Sequence, residues 1–356
     1  MIASLALSSL GLIAGWLLFW RLSDSDLPKP QADTSKTQID SISIVVPARN
    51  EERNLPQLLN SLKLQGPEEL IVVDDHSTDQ TARLATEAGA RVLGSAELAQ
   101  GWTGKNFACA QGANAATQDW LLFLDADTAF EPNGLARLRA LLMSPEAENT
   151  ALPYHMTRKP YEELSLFFNL LMAAGTGGFG LFARAKLFGQ TLLISRRLYT
   201  ESGGHGAVRD RILENFSMAE KILTASGRCQ CYRGQGAIRM RMYSTGIGQL
   251  WQGWTKAFVA GASGSSRLTP LLSIVWLSAL FSTFTWLLVG PERLLAALFN
   301  FALAVQLAYF GRQLGSFRAY SFALYPIPLT FFFVLFERAL VLRSLRRKTT
   351  WSGRKT

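Results

Sequence analysis

The carboxylates of Asp125 and Asp127 have the type and spacing needed to hold one divalent cation. They directly follow the apolar run Trp120–Leu124, and Ala126 lies between them. Mg²⁺ and Mn²⁺ prefer oxygen ligands, and their coordination in proteins is commonly completed by substrate phosphates. The motif therefore predicts a Mg²⁺ or Mn²⁺ site, with a solvated turn that caps the helix after Glu131 as the alternative.

A second acidic pair, Asp74-Asp75, ends the apolar run that begins at Leu70. Carboxylates in such a position accept hydrogen bonds from a nucleoside base or from ribose hydroxyls. Ser77 or Thr78 can cap the following helix at the same time. We predict that Asp74 and Asp75 contact a nucleoside.

Two further segments lie where a strand passes into a helix, which is a place where backbone N–H groups can meet an anionic ligand. The first is Pro47-Ala-Arg-Asn-Glu-Glu52, and the second is Gly104-Lys105. A lysine at a helix start can meet a diphosphate, although a solvated lysine is nearly as well supported by these residues alone. The candidate binding residues here are Pro47, Ala48, Arg49, Glu51 and Lys105.

The elements that must position these residues are short strands that alternate with helices. Such alternation indicates βαβ units and a mostly parallel sheet, in which ligands bind at the carboxyl ends of strands. Asp74, Asp75 and Asp125 all lie at predicted strand ends. The predicted strands are 43–47, 70–74, 90–93 and 120–124, and the predicted helices are 51–64, 78–88 and 105–116.

Both ends of the chain are apolar, whereas residues 41–262 have the composition of a folded soluble domain. Residues 1–22 are apolar over about the twenty residues that a membrane span needs, and we interpret 23–40 as a linker. Two apolar segments inside the domain, about 161–185 and 246–262, are predicted to lie in the membrane interface. A C-terminal membrane region at 269–342 contains three candidate spans, at about 269–289, 294–310 and 321–340.

The formal net charge of +9 does not point to nucleic acid, because many basic residues are concentrated in the tail, 343–356. A basic cluster after an apolar segment is typical of the cytoplasmic side of a membrane. With the domain also cytoplasmic, three C-terminal spans would place this tail outside. A break at Tyr325-Pro-Ile-Pro328, giving a re-entrant hairpin, or one segment lying in the interface would remove the conflict.

Taken together, Val-Pro-Ala-Arg-Asn-Glu-Glu, Asp-Asp-x-Ser-Thr-Asp and Asp-Ala-Asp resemble the motifs of family-2 inverting glycosyltransferases. The resemblance implies an α/β GT-A domain, Rossmann-like and of the nucleotide-diphospho-sugar transferase type, here flanked by transmembrane helices. It implies a UDP-sugar donor, contacted through uridine by Asp75 with Asp74. It also places Asp125, Ala126 and Asp127 around the sugar and the metal, with Asp127 as a catalytic residue.

Later motifs resemble a membrane-bound bacterial subgroup of this family that glycosylates a carotenoid carboxylic acid. They are Pro153-Tyr-His155, Gly203-Gly-His205, Arg241-Met-Tyr243, Gly253-Trp-Thr-Lys256 and Trp351-x-Gly-Arg354. The resemblance implies that Glu214 takes the position of an acidic base and that Arg241 neutralises phosphates. It also implies an interfacial acceptor site, for which the candidates are His205, Trp251, Trp254 and Lys256.

The chain departs from the family pattern at Asn215, where the usual second carboxylate of a Glu-Asp pair is absent. An alcohol acceptor needs a base to remove its proton, whereas a carboxylic acid, with a pKa near roughly four, is already ionised. We therefore predict that the acceptor is a lipid carboxylate. The resemblance implies transfer of a hexose, glucose favoured, from UDP to a carotenoid acid such as 4,4′-diaponeurosporenoate. The Gln-x-x-Arg-Trp element of processive synthases is also absent, which favours addition of one sugar.

Two alternatives stay open at this point. One is transfer to another lipid, such as a hopanoid, sterol, ceramide or polyprenyl phosphate. The other is a non-catalytic membrane subunit that only binds a nucleotide sugar. In each case we expect a multi-pass bacterial cell-membrane protein with its domain in the cytoplasm and with no nucleic-acid partner.

Overall fold

The computed structural model describes residues 2–30, 41–143, 148–182, 187–211, 214–225, 228–260, 268–345, 350–351 and 354–355. Within these ranges, a mixed sheet covered by helices is followed by a bundle of long apolar helices. The N-terminal helix belongs to that bundle, so the chain enters the bundle first and returns to it after the sheet is complete.

The main sheet has seven strands in the order β3-β2-β1-β4-β8-β6-β9. Strands β1, β2, β3 and β4 are mutually parallel, β8 is antiparallel to β4 and to β6, and β9 is parallel to β6. A second sheet has the order β5-β10-β7, and β11 pairs with β12. The strands are β1 (Ile42–Ala48), β2 (Glu69–Asp74), β3 (Arg91–Gly94), β4 (Trp120–Leu124), β5 (Thr128–Phe130), β6 (Glu148–Leu152), β7 (Tyr154–His155), β8 (Thr191–Ser195), β9 (Cys229–Arg233), β10 (Ile238–Met240), β11 (Thr350–Trp351) and β12 (Arg354–Lys355).

Helices cover both faces of the main sheet and form the bundle, and a 3₁₀ turn at Pro160–Ser165 leads into one of them. Both faces need cover because successive residues of β1 are buried on opposite sides of the sheet, Ile44 on one side and Val45 on the other. The helices are α1 (Ile2–Leu18), α2 (Leu55–Lys63), α3 (Thr81–Glu87), α4 (Gly104–Ala115), α5 (Gly134–Arg139), α6 (Leu166–Gly175), α7 (Arg196–Glu201), α8 (Glu214–Thr224), α9 (Ile247–Ala260), α10 (Leu268–Val289), α11 (Arg293–Leu314), α12 (Ala319–Ala323) and α13 (Pro326–Ser344).

The four predicted strands are present at the expected positions, within about one residue at each end. Two helices begin later than predicted, because α2 starts at Leu55 rather than near Glu51 and α3 starts at Thr81 rather than near Thr78. The residues before each helix form loops at the carboxyl ends of β1 and β2. Those loops are part of the candidate site.

Among the described residues, three helical segments are long and apolar enough to cross a membrane: Ile2–Asp24, Leu268–Val289 and Arg293–Leu314. Helix α1 packs closely on α10, where Gly11 faces Ala279, and Gly15 faces Trp276 and Gln306. A Gly-xxx-Gly pair lets two helix backbones approach closely. Polar side chains add hydrogen bonds inside the bundle, since Gln306 Nε2 donates to the Leu12 carbonyl at 2.7 Å.

The predicted span at about 321–340 is wrong, because this segment is broken into α12 and α13 at Leu324-Tyr325. Tyr325 is fully buried at the break, where its hydroxyl donates to the Leu280 carbonyl of α10 at 3.0 Å and accepts from Asn300 of α11 at 2.8 Å. Leu280 lies near the middle of α10. The chain is therefore bent at Tyr325 beside the middle of α10, a geometry that a re-entrant hairpin requires, and the re-entrant interpretation stays a prediction.

The segment that follows α1 is packed against the sheet as far as Pro30, and residues 31–40 lie outside the described part. Arg233 of the edge strand β9 pairs with Asp26 at 2.8 Å, and the Arg233 N–H donates to the Ser25 carbonyl. Leu27 is buried in the core beside the sheet. The half of the predicted linker that is described is thus a docked segment. Half of the predicted basic tail also lies outside the described residues.

Candidate active site

The carboxyl ends of β1, β2 and β4 meet at one edge of the sheet. Ala48, the last residue of β1, is in register with Asp74 of β2, and β4 lies on the other side of β1 and ends just before Asp125. The edge therefore carries Arg49 between the two acidic motifs. This is the arrangement that the alternation of strands and helices predicted.

Asp74 and Asp75 are both placed at this edge, in different environments. Asp75 is buried and lies 3.7 Å from Arg49 Nη1, which also donates to the Asp75 carbonyl at 2.7 Å. Asp74 has one buried carboxylate oxygen, Oδ1, with no hydrogen-bond partner in the described part of the chain. An unpaired buried acceptor is costly unless a ligand satisfies it. Asp74 is therefore the better placed of the two to accept a hydrogen bond from a nucleoside.

The backbone N–H groups at 50–52 do not face a ligand, which corrects the prediction for this segment. They donate to side chains of the neighbouring loop: Asn50 to Ser77, Glu51 to Thr81 and Glu52 to Asp79. Asn50 adopts a left-handed conformation with φ of 54°, and its side chain accepts from the Thr78 N–H at 2.8 Å. These hydrogen bonds hold the two loops together, and α2 begins only after them. Of this segment, Arg49 is engaged with Asp75, and Glu51 lies within the electrostatic influence of Asp125 in the acidic cluster described next.

Asp127 lies in a cluster of negative charge. Burial, together with the charges of Asp125 and Glu51, raises the pKa of Asp127 to about 8. Burial also raises the pKa of Glu51. One oxygen of Asp127, Oδ1, is buried without a hydrogen-bond partner among the described residues. Acidic side chains gathered in this way, with one oxygen unsatisfied, fit a bound cation.

Protein side chains alone would not complete such a cation site. Within the described ranges, no three His, Cys, Asp or Glu side chains are grouped so that they could hold a metal ion. Asp127, with Asp125 beside it, would supply part of the coordination and a diphosphate the rest. That division of ligands is common for Mg²⁺. The donor set therefore fits Mg²⁺ or Mn²⁺ bound together with a nucleotide.

Lys105, in the first turn of α4, connects two elements of the site. Its Nζ lies 2.7 Å from Asp125 Oδ1 and 3.1 Å from Glu214 Oε1. Burial alone would lower the pKa of Lys105, but the two carboxylates raise it well above its ordinary value. Lys105 is consequently a fixed positive charge between the end of β4 and the start of α8.

Glu214 is buried at the first position of α8, so it is not a solvated helical glutamate. Asn215 lies beside it and, with its amide oriented to satisfy both neighbours, donates to Glu214 Oε1 at 3.3 Å. The same amide accepts from the Gly189 N–H at 2.8 Å. Asn215 thus holds Glu214 in place and carries no negative charge of its own.

Arg241 lies close to the acidic motif but is engaged by another carboxylate. Its backbone N–H donates to the Asp127 carbonyl at 3.3 Å, and its Nη2 lies 2.7 Å from Glu162 Oε1. Glu162 is almost fully buried in the 3₁₀ turn before α6. The role of Glu162 could not be read from the sequence, because the pair joins residues far apart in the chain.

Of the four predicted acceptor residues, the three whose side chains are described do not all lie at one place, because His205 is apart from the two tryptophans of α9. His205 is buried against Phe123 and bonds Tyr199 at 2.9 Å, and burial lowers its pKa to about 3. Trp254 is buried, stacked on Phe168 of α6 at 4.7 Å. Trp251 is half-buried beside α13. The side chain of Lys256 lies outside the described residues.

Asn106 is a further residue beside the candidate site, and its only signal in the sequence is that it follows Lys105. Its buried amide donates to the carbonyls of Val208, Arg209 and Arg211 at 2.8, 3.3 and 3.0 Å. These carbonyls belong to the segment that leads toward Glu214. The first turn of α4 therefore both holds this segment and supplies the cation that pairs with Glu214.

Comparison with known proteins identifies the family. The family model described as "Glycosyl transferase family 2" matches residues 43–168. Over 300 residues the chain is 36% identical to a 4,4′-diaponeurosporenoate glycosyltransferase of Staphylococcus haemolyticus, which covers 79% of this chain and 77% of that protein. The chain belongs to glycosyl transferase family 2. A protein of the same name from Staphylococcus aureus is 29% identical over 339 residues, covering 91% of this chain and 90% of that protein.

Among solved structures, the family-2 chain is similar to the mannosyltransferase PcManGT from Pyrobaculum calidifontis, solved in complex with GDP-Man and Mn²⁺. The TM-score is 0.56 at 19% identity, with coverage of 97% of this chain and 99% of the other. At that identity the likeness concerns the fold alone. The prediction of a GT-A glycosyltransferase with flanking apolar helices is confirmed, whereas the roles of individual residues stay predictions.

Proposed function

We propose that this glycosyltransferase is membrane-bound and moves a hexose, glucose favoured, from UDP to the carboxylate of a carotenoid acid with inversion at the anomeric carbon. The observation that carries this proposal is the Lys105 bridge between Asp125 and Glu214, because it leaves the site without a free carboxylate base at position 214. The names of the Staphylococcus relatives support the acceptor class.

The donor end of the site is supported by charge and position. Asp74 and Asp75 would contact the uridine at the edge of the sheet, and Lys105 and Arg241 would offer positive charge to the diphosphate. Fixed charges in a partly desolvated site stabilise a leaving group strongly, since they need not reorganise during the reaction. Arg241 would exchange its Glu162 partner for phosphate oxygens when the donor binds.

A Mg²⁺ or Mn²⁺ ion held by Asp127, with Asp125, would act when bound as a Lewis acid for the departing diphosphate. The unsatisfied oxygen of Asp127 supports this assignment. Asp125 already has Lys105 as a neighbour, so Asp127 is the carboxylate that more readily accepts a metal ion.

The attacking group follows from the state of Glu214. A general base must accept a proton, and a carboxylate that is paired with a lysine 3.1 Å away is poorly suited to that task. A carboxylic acid acceptor is already ionised at neutral pH, so its oxygen can attack the sugar without a base. Glu214 would then serve to hold Lys105. The absence of a second carboxylate at Asn215 agrees with this chemistry.

Such an acceptor also explains why the enzyme is attached to apolar helices. A carotenoid acid has a long apolar body that stays in the bilayer, while its carboxylate reaches the surface. Helices α6, α9 and α13 pack together, and their contact is rich in aromatic side chains. Aromatic residues are typical of the membrane–water interface.

The test is a transfer assay with purified protein in lipid nanodiscs. UDP-glucose and Mn²⁺ are supplied with either a C30 carotenoid acid or the corresponding carotenoid alcohol, and products are analysed by mass spectrometry. We expect one hexose added to the acid as an alkali-labile ester, with β configuration by NMR. An α product would contradict inversion, and a preference for the alcohol would contradict the acceptor class.

Two variants separate the roles of the acidic residues. Asp127→Ala should abolish transfer, while Glu214→Gln should retain measurable transfer to the carotenoid acid because no proton has to be removed. Loss of several orders of magnitude in Glu214→Gln would show that Glu214 acts as a base. Glu87→Ala, at an exposed end of α3, is the matched control for removing a carboxylate.

A further inference from the structure

Tyr243, three residues after the end of β10, has an unusual backbone conformation. Its φ is 58°, in the left-handed region that bulky residues rarely adopt. The Tyr161 hydroxyl donates to the Tyr243 carbonyl at 2.9 Å and so helps to keep this conformation. Backbone strain of this kind persists only where surrounding contacts hold it, and it is concentrated at functional sites. The strained backbone therefore makes Tyr243 a candidate functional residue.

The Tyr243 ring is wedged against the interfacial helix α9. It contacts Trp254 edge to face, with ring centres 5.5 Å apart. It also lies directly over Gly253, where a Cβ atom would come within 2.1 Å of Tyr243 Cε1 and 2.7 Å of its hydroxyl. Any side chain at position 253 would push the ring away. This close approach is the physical reason for glycine in the Gly253-Trp-Thr-Lys256 motif.

Tyr243 lies near enough to Asp127 for that charge to act on its hydroxyl, and the hydroxyl is available as a donor. It makes no hydrogen bond to any residue in the described part of the chain, although Tyr243 is only 8% exposed. Burial and the nearby charge of Asp127 raise the pKa of Tyr243, so the phenol keeps its proton. Arg241, two residues earlier, bonds the Asp127 carbonyl through its backbone. Tyr243 thus contacts α9 through its ring and lies within the electrostatic influence of the predicted metal-binding carboxylate.

We propose that Tyr243 is an acceptor-binding residue whose hydroxyl donates a hydrogen bond to the acceptor carboxylate. By holding one carboxylate oxygen, it orients the other toward the anomeric carbon of the donor sugar. Gly253 makes room for the ring and so couples the position of α9 to the acceptor site. This assignment rests on the proposed transfer to a carotenoid acid.

The experiment measures donor and acceptor parameters separately in nanodiscs. For Tyr243→Phe we expect the acceptor KM, as a mole fraction in the lipid, to rise or kcat to fall so that kcat/KM drops about ten- to a hundredfold, as for loss of a hydrogen bond to a charged group. The dissociation constant for UDP-glucose should change by less than about twofold. Tyr232→Phe, on the edge strand β9, removes a hydroxyl far from the site and should leave both values unchanged.

A double-mutant comparison tests the role of Gly253 and guards against a simple folding defect. Gly253→Ala should lower acceptor kcat/KM like Tyr243→Phe, but it should have no further effect in a Tyr243→Ala background, where the ring is missing. All variants are compared by size-exclusion chromatography and thermal unfolding, so that the kinetic loss is assigned only to folded protein.

The possible outcomes separate the assignment of Tyr243 from the proposed function. If the wild type glycosylates the carotenoid acid and Tyr243→Phe has the same acceptor kinetics, the assignment is overturned while the proposed function stands. An equal loss of UDP-glucose affinity in Tyr243→Phe would place the phenol in the donor site and would also overturn it. Failure of the wild type to glycosylate the carotenoid acid would overturn the proposed function and this assignment with it.

Discussion

Lys105 carries the positive charge that pairs with both Asp125 and Glu214 in the candidate site. Replacing it with methionine keeps the length of the side chain and removes the cation. We expect Lys105→Met to lower kcat by about 10²–10³, the size seen when one preorganised electrostatic contact is removed. Initial-rate measurements with the carotenoid acid acceptor give this value.

The structural part of that effect needs its own control. Lys105→Arg restores a positive charge with different geometry and should recover part of the lost rate, because Arg cannot match a single ammonium that serves two carboxylates at once. Full activity in Lys105→Met would mean that the bridge is a packing feature without a part in catalysis.

Asn106 contacts the segment that leads to Glu214, and we expect it to be a positioning residue. Asn106→Ala would leave three buried or half-buried carbonyls in the 208–211 segment without their shared donor. Displacement of that segment should shift Glu214 and lower kcat by at least about tenfold, with little change in UDP-glucose affinity. Asn114→Ala, on an exposed position of the same helix, is the matched control. A change confined to UDP-glucose affinity would contradict the positioning role.

The sequence predicted the acidic residues of the site better than their partners. Asp74 and Asp125 were found because strand ends in an α/β sheet converge on one edge, which is a local signal. Glu162 and Asn106 act through contacts with residues about eighty and one hundred positions away, and no local pattern reports such pairs. The same holds for Tyr243, which was visible only as part of a motif without a role.

The elements of the sheet were predicted with small errors, and those errors have a common cause. Hydrophobic runs define buried strands well, so β1, β2 and β4 were placed correctly. The helices α2 and α3 begin late because their first predicted turns are used for hydrogen bonds between two loops. Helix propensity at Glu51 was overridden by a contact with Thr81, thirty residues away.

The membrane helices were harder to predict, because length and apolar composition do not report a break inside the bundle. Pro326 and Pro328 gave the one usable signal, since proline favours a helix start and disfavours continuation. The sequence could not predict the hydrogen-bond partner of Tyr325, whose hydroxyl donates to the carbonyl of Leu280.

Helix α1 is an integral part of the bundle, and its glycines can test this. A Cβ atom at Gly11 would lie 2.0 Å from the Cβ of Ala279. Gly11→Leu should therefore separate α1 from α10 and lower the thermal stability of the purified protein by several degrees, through lost helix contact. Ala6→Leu adds the same bulk on an exposed face of α1 and should change little. Equal stability of the two variants would indicate that α1 is only an anchor.

At the scale of the whole molecule, we propose that the α12–α13 pair is re-entrant, which would remove the conflict over the basic tail. The catalytic domain lies between α1 and α10, and its side of the membrane is also where α11 ends, because Gln313 and Tyr309 of α11 contact Ser23 just after α1. With α10 and α11 as one crossing and one return, and with α13 turning back at Tyr325, the chain leaves the bundle on the catalytic side. Three crossings, rather than four, then agree with the positive-inside tendency.

This topology predicts which residues share a face of the membrane. In a protein whose native cysteines are replaced by serine, Leu98→Cys on the domain and Thr356→Cys in the tail should react with a membrane-impermeant maleimide from the same side. Pro291→Cys, between α10 and α11, should react only from the opposite side. Inverted and right-side-out vesicles provide the two orientations, and we expect the tail to label in inverted vesicles, where the cytoplasmic face is outward. Labelling of Thr356→Cys together with Pro291→Cys would mean that α13 crosses the membrane, and the re-entrant arrangement would then be wrong.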